Sequence, residues 1–250
     1  MRYLIISDMH GNWDALSAVL DHAAGEELDA VLNLGDLVGY GASPNEVVEA
    51  LEELSLPSHT VRGNHDKVAA GVDDGLGFNP TALTAARWTA EQLTAANLER
   101  VRELPQGPKQ VDEGLVICHG SPFDEDYYLL SVFDAEDIFS TWRTAVTFFG
   151  HTHVPAAFAC RESGGIEIEV LYGDEVKLEL EVDFGVRYLI NPGSVGQPRD
   201  RDPRAAYMIY DSEEQVVLLR RVAYPVSEAQ ERILEAGLPR LLADRLALGY

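Results

Sequence analysis

Short continuous apolar runs recur along the first 150 residues, and each stops at a polar turn. Leu4-Ile5-Ile6 leads into Ser7-Asp8-Met9-His10-Gly11-Asn12, and Ala30-Val31-Leu32-Asn33-Leu34 leads into Gly35-Asp36. His59-Thr60-Val61-Arg62 ends in Gly63-Asn64-His65-Asp66, Leu115-Val116-Ile117-Cys118 in His119-Gly120, and Val146-Thr147-Phe148-Phe149 in Gly150-His151-Thr152-His153. Unbroken runs of this length predict strands covered on both faces. Between them the apolar period becomes helical. Asn12 is placed to cap a helix to about Ala24, striped by Trp13, Leu16, Leu20 and Ala24 and ended by Gly25. Ser43-Pro44-Asn45-Glu46 opens another with a capping box and Pro at its first position. The strand-helix alternation predicts a parallel sheet with right-handed crossovers.

Residues 67–105 depart from this rhythm. Glycines crowd the start, Asn79-Pro80 opens a helical stretch, and Asn97 is a candidate interruption. Two readings stand: a helical cap over the site, or helices that only pack beside the sheet. Past residue 155 the pattern turns to strands. Ile166, Ile168 and Val170 alternate with Glu167 and Glu169, and Val176, Leu178, Leu180 and Val182 follow a Gly173-Asp174 turn. This predicts an antiparallel hairpin with one wet face. Further strands are expected at 188–190, 206–210 and 216–222, then a helix from Ser227 with Gln230 closing its box, and a short one after Pro239. The expectation is one α/β domain over 1–250, with two packed sheets and helices outside them.

Composition narrows the class. The chain has 250 residues, 46% hydrophobic, enough for one large core. No apolar run nears the roughly 20 residues of a membrane helix. Met1-Arg2 leads straight into a strand, so no secretion signal is expected. Cys118 and Cys160 read as buried thiols of a cytoplasmic protein. With 42 acidic residues against 19 basic, the net charge is −23. Such a surface argues against a nucleic-acid duplex or a membrane as partner, and an anionic substrate needs a local positive centre.

That centre has candidates. Ligands of open α/β sheets bind beyond the carboxyl ends of the strands. Here five strands deliver metal-type side chains at that end: Asp8 and His10, Asp36, Asn64 and His65, His119, and His151 and His153. Asp8 and His10, two apart, would point the same way from an extended chain. Five of the seven histidines lie in these turns, while His22 and His59 read as structural.

The series Asp8-x-His10, Gly35-Asp36, Gly63-Asn64-His65-Asp66, His119 and Gly150-His151-x-His153 resembles the calcineurin-like metallophosphoesterase superfamily, and Asn191-Pro192-Gly193-Ser194 resembles its compact bacterial and archaeal branch. The resemblance implies a four-layer α/β/β/α sandwich and a dinuclear centre. Asp8, His10, Asp36 and His153 would hold one ion, and Asp36, Asn64, His119 and His151 the other. Asp36 bridges, since a carboxylate has two oxygens and an imidazole one free lone pair. Two divalent ions (Mn, Fe or Zn) would generate a hydroxide and clamp an in-line displacement on a small phosphodiester or phosphomonoester. His65 would act as general acid or as donor to a phosphoryl oxygen, and Asp66 would orient it through the other ring nitrogen. Asn12, Tyr40 and Arg199 are the candidate substrate-binding residues.

One departure stands out. Protein Ser/Thr phosphatases carry Asp-Arg-Gly after the second block, and this chain has Gly39-Tyr40-Gly41 there. Their arginine clamp is missing at that place. Arg199 or Arg201 are replacements to weigh against plain surface solvation. Competing functions are a phosphoprotein phosphatase, a dinucleoside polyphosphate hydrolase, and a metal-binding interaction scaffold.

Overall fold

The computed structural model describes residues 1–163 and 165–250. In chain order the elements are β1 (Arg2–Ile6), α1 (Trp13–Ala23), β2 (Ala30–Asn33), α2 (Pro44–Glu52), β3 (Ser58–Thr60), α3 (Asn64–Ala69), α4 (Pro80–Gln92), α5 (Ala95–Arg102), β4 (Lys109–Asp112) and β5 (Leu115–Ile117). Then come α6 (Val132–Thr141), β6 (Val146–Phe148), β7 (Ala156–Cys160), β8 (Ile166–Val170), β9 (Glu175–Glu179), β10 (Arg187–Asn191), β11 (Ala205–Asp211), β12 (Val216–Val222), α7 (Val226–Glu235) and α8 (Arg240–Leu246).

Two six-stranded mixed sheets result, ordered β3-β2-β1-β11-β12-β9 and β4-β5-β6-β10-β7-β8. The first contains the expected parallel β1, β2 and β3. Side chains of both sheets meet in a shared core that includes Ile5, Leu32, Ile117, Phe148, Ile190, Met208 and Leu219. The outer face of the first sheet packs Leu4, Ile6 and Tyr207 against α1 and α7. The outer face of the second packs Phe158 and Leu189 against Ile138 and Phe139 of α6. This is the four-layer sandwich, and it explains why central strands read as unbroken apolar runs.

The hairpin expected at 166–182 does not form. β8 pairs with β7 in one sheet, and β9 pairs with β12 in the other. Buried Leu171 carries the chain across the central core between them, where Val176 and Leu178 also pack. Alternation identifies a strand's wet face but not its partner, and the partner β7 is a short run of small residues. β4 and α6 were likewise without a sequence signal.

Helix ends differ in detail. Asn12, Asn79 and Thr94 cap their helices with side-chain oxygens. The break in the 67–105 stretch falls at Leu93-Thr94, where Thr94 caps α5, rather than at Asn97. Ser43 makes no side-chain cap, so the expected capping box does not form, while Pro44 does stand at the first helical position. α7 starts one residue before Ser227, and Gln230 donates to the Ala243 carbonyl at 2.8 Å, tying α7 to α8. No helix among the described residues is long and apolar enough to cross a membrane.

Candidate metal centre

Every candidate ligand lies just beyond a strand end and is buried: Asp8 0%, His10 1%, Asp36 1%, Asn64 7%, His119 0%, His151 3% and His153 1% exposed. Asp8, His10, Asp36, His151 and His153 all have left-handed backbone, with φ of 55°, 49°, 54°, 66° and 60°. Such φ values are uncommon outside glycine, although Asp, Asn and His tolerate them best, and each costs on the order of 1–3 kcal/mol. The convergence of Asp8 and His10 therefore comes from left-handed turns after β1, not from alternation along an extended strand. The surrounding glycines make room for these turns. A Cβ on Gly63 would stand 2.0 Å from Asp36 Oδ1, so only glycine lets the third turn close over that carboxylate.

Two ligand groups result. Asp8, His10, Asp36 and His153 offer donor atoms within 4.8 Å of one another, and so do Asp36, His119 and His151. Asn64 joins the second group, its Oδ1 lying 3.2 Å from His119 Nε2. Asp36 is common to both: its Oδ2 is 3.5 Å from His10 Nε2 and 3.4 Å from His119 Nε2.

Backbone groups hold these side chains in place. The His65 N–H, at the start of α3, donates to Asp36 Oδ1 at 2.8 Å. His119 Nδ1 lies 2.7 Å from the Leu34 carbonyl and His153 Nδ1 lies 2.6 Å from that of Gln197. A carbonyl only accepts, so each Nδ1 carries a proton, and in the neutral ring each Nε2 presents a lone pair. His153 Nε2 then faces His10 Nε2 at 3.1 Å and Asp8 Oδ1 at 3.3 Å. His119 Nε2 faces His151 Nδ1 at 3.2 Å in addition to Asn64 and Asp36. In the neutral rings the Nε2 lone pairs of His153 and His119 face the oxygens of Asp8 and of Asp36 and Asn64 in a dry site, which is unfavourable unless a cation lies between them. The donor set therefore fits two divalent ions.

Electrostatics agree with that arrangement. Burial pulls the His10, His151 and His153 imidazolium forms well below the usual histidine range. Neutral imidazole is the form that binds a metal. Burial also opposes charge on His119, but the Asp36 carboxylate outweighs it and holds the pKa up at about 10 in the ion-free protein. Burial, with the nearby Asp36 charge, pushes Asp8 up to about 7 against the attraction of His119.

Around this centre lies a cavity of about 430 Å³ lined by His65, Asn64, Tyr40, Lys67, Phe78, Tyr128 and His151, among others. The 73–79 segment of the helical excursion supplies part of that lining. Tyr128 stacks over His151 with ring centres 3.9 Å apart, and Phe78 over His65 at 4.6 Å. Burial holds the His65 pKa down at about 4 despite the Asp36 charge, so the ring is neutral near pH 7. Asp66 does not orient it. Its two oxygens accept from the Val38 and Gly63 amides at 3.1 and 2.9 Å, bracing the turn that presents His65.

The three candidate substrate residues fare differently. Asn12 is engaged within the fold, donating to the Gly196 carbonyl and the Tyr224 hydroxyl while its oxygen caps α1. Tyr40 lines the cavity but is only 6% exposed, with His10 and His65 rings 4.5 and 4.4 Å away, which leaves little ring face for a base. Arg199 is partly buried beside Tyr40, its Nη2 3.4 Å from the hydroxyl, so surface solvation does not describe it. Arg201 is exposed, near the Tyr250 ring. The Gly39-Tyr40-Gly41 departure also has a cause. Gly39 has φ of +136°, and a Cβ there would lie 2.6 Å from His65 Nδ1, so the Asp of that motif cannot stand at 39 on this backbone, and Tyr40 occupies the arginine's place. Nothing in the neighbouring sequence marks Lys67, Phe78 and Tyr128 as cavity residues, or Arg245 as a neighbour of the Tyr40 ring.

Comparison with known proteins gives a consistent outcome. Residues 1–215 match the profile of the calcineurin-like phosphoesterase superfamily domain. A metallophosphoesterase crystal structure from Sphaerobacter thermophilus is 41% identical, with 100% of this chain and 99% of that one covered and a TM-score of 0.84. A protein of Methanocaldococcus jannaschii is 36% identical over 249 residues, 98% of this chain and 97% of its own. Phosphodiesterase YfcE of Escherichia coli is 26% identical over 221 residues, 85% of this chain and 89% of its own.

Proposed function

The chain belongs to the calcineurin-like phosphoesterase superfamily and is a phosphoric ester hydrolase, and on that premise we propose that it cleaves a small phosphodiester or phosphomonoester at a dinuclear centre. The observation that carries this reading is the pair of buried ligand groups sharing Asp36. Asp8, His10, Asp36 and His153 would hold one ion, and Asp36, Asn64, His119 and His151 the other. Divalent ions bound there lower the pKa of water and neutralise charge on the reacting phosphoryl group. Mixed nitrogen and oxygen donors suit Mn, Fe or Zn.

The protein's own groups do the rest. Asn64 brings no charge, so two aspartates face two divalent ions and the site stays positive inside an acidic protein. His65 is neutral, and its N–H donates to a phosphoryl oxygen in the cavity; the pKa of about 4 weighs against a proton held ready for the leaving group. Phe78 and Tyr128 offer apolar surface to the organic part of the ester. A cavity of about 430 Å³ suits a compact ester, and the −23 charge opposes a nucleic-acid duplex. The free buried thiols Cys118 and Cys160 support a cytoplasmic setting. The name of the Escherichia coli relative favours a diester.

The test is turnover of bis-nitrophenyl phosphate and nitrophenyl phosphate by the metal-reconstituted chain, alongside elemental analysis. Hydrolysis with two ions per chain is expected. Two bound ions without turnover of either ester would favour the scaffold reading.

A further inference from the structure

Two arginines approach one tyrosine at the edge of the centre. The Cζ atoms of Arg199 and Arg245 each lie 5.8 Å from the Tyr40 ring centre. Neither has an Asp or Glu side chain within ion-pair distance among the described residues. Arg199 Nη2 has only the Tyr40 hydroxyl and Gln197 Oε1, both at 3.4 Å, while its Nε is buried without a partner. Gln197 Nε2 is also buried and unpartnered. Arg245 Nε donates to the main-chain oxygen of Tyr250 at 2.7 Å.

This is unusual for the molecule. The chain has 42 acidic residues to 19 basic, and several other arginines with little exposure are paired with carboxylates: Arg62 with Glu125, Arg204 with Asp202 and Arg221 with Asp200, whereas Arg187 is held by the Phe139 and Trp142 carbonyls. Both guanidiniums lie over the same ring, and burial together with the Arg199 charge lowers the Arg245 pKa. An anion held by both would offset that repulsion.

Their position says which anion. The Tyr40 ring that they flank touches the His10 and His65 rings, so one aromatic ring separates the pair from the metal centre. The Arg199 N–H donates to the His153 carbonyl at 3.2 Å, fixing the residue to a ligand turn. Arg245 comes from α8, beyond residue 215 where the family match ends. Guanidinium forks match phosphoryl oxygens in pairs. We propose that Arg199 and Arg245 form a second anion subsite that holds a phosphoryl group of the substrate other than the one that reacts, so that the preferred substrate carries two. The proposal rests on the phosphoesterase reading of the metal centre.

Calorimetric titration of the metal-loaded full chain with methylphosphonate and with ethylene-1,2-diphosphonate tests it without turnover. The wild type should bind the diphosphonate at least tenfold more tightly. Arg245→Gln should cut that ratio to below threefold, Arg245→Lys should retain part of it, and Arg232→Gln, which breaks a surface pair with Asp14, should leave it intact. Melting curves matched to wild type exclude misfolding of the variants. Equal affinities in the wild type, or an undiminished ratio in Arg245→Gln, would overturn the subsite. The phosphoesterase reading is decided separately, by nitrophenyl ester turnover.

Discussion

The wall of the site and its rim are built in opposite ways. In the wall, seven side chains stand within a few residues of strand ends, nearly free of solvent, and backbone amides or carbonyls hold several of them. In the rim, Lys67, Phe78, Tyr128 and Arg245 come from separate segments. Tyr128 is 48% exposed, and the Lys67–Asp126 pair opens to water, with the Asp126 side chain 53% exposed. The difference teaches that metal geometry is over-determined by the fold, whereas selection of the ester is left to loosely held side chains. A wall residue should therefore act on metal content or rate, and a rim residue on KM.

The largest effect is expected at the shared carboxylate. Asp36→Asn keeps the shape but removes the negative charge shared by the two proposed ion sites. We expect loss of at least one ion and of nearly all turnover, read by mass spectrometry of the metal content. Two ions retained per chain would remove Asp36 from the bridging position.

His65 should act on rate alone. His65→Ala is expected to keep both ions while kcat falls by roughly 10²–10³, the usual cost of losing one hydrogen-bond donor to developing charge. Its depressed pKa fixes the sign of the pH dependence. With a pKa of about 4, His65 has lost its proton by pH 5, so raising pH from 5 to 7 should cost no activity through this residue. A tenfold fall per pH unit across that window, abolished in His65→Ala, would restore a protonated His65 as general acid.

Gly63→Ala probes how tightly the wall is held. The added methyl would lie 2.0 Å from Asp36 Oδ1, so the turn or the carboxylate must move. Overpacking of this kind costs typically about 1–3 kcal/mol. The melting temperature should fall and metal affinity should fall with it. Unchanged metal affinity would mean that the wall has slack.

The same division explains what could be read from the chain. Asp8, His10, Asp36, Asn64, His65, His119, His151 and His153 were legible because each follows an apolar strand by a few residues, and strand order carries them to one end of the sheets. The left-handed backbone of Asp8, His10, Asp36, His151 and His153 was not, since apolar runs and their ends predict only where a strand stops, not how the turn after it folds. The partners of Asp66 were missed for a related reason: one of its two amides, that of Val38, lies 28 residues away. Long-range packing also decided that β8 and β9 part into different sheets, that Arg199 is half-buried, and that Arg245 reaches Tyr40 at all.

The smallest expected effect lies in the rim. Tyr128 covers His151 at 3.9 Å between ring centres, yet nearly half of it faces solvent. If it belongs to the rim, Tyr128→Ala removes a stacking surface for the organic part of an aryl ester and nothing else. Aromatic pairs contribute about 0.5–1.5 kcal/mol beyond their buried area, which corresponds to roughly two- to twelvefold in binding. KM for bis-nitrophenyl phosphate should rise within that range, with kcat and metal content unchanged. Tyr128→Phe should behave as wild type, since the ring and not the hydroxyl does the stacking. Parallel kinetics and metal analysis on the two variants decide the matter. A hundredfold fall in kcat, or loss of an ion in Tyr128→Ala, would mean that the ring holds His151 in place and that the boundary between wall and rim runs outside Tyr128.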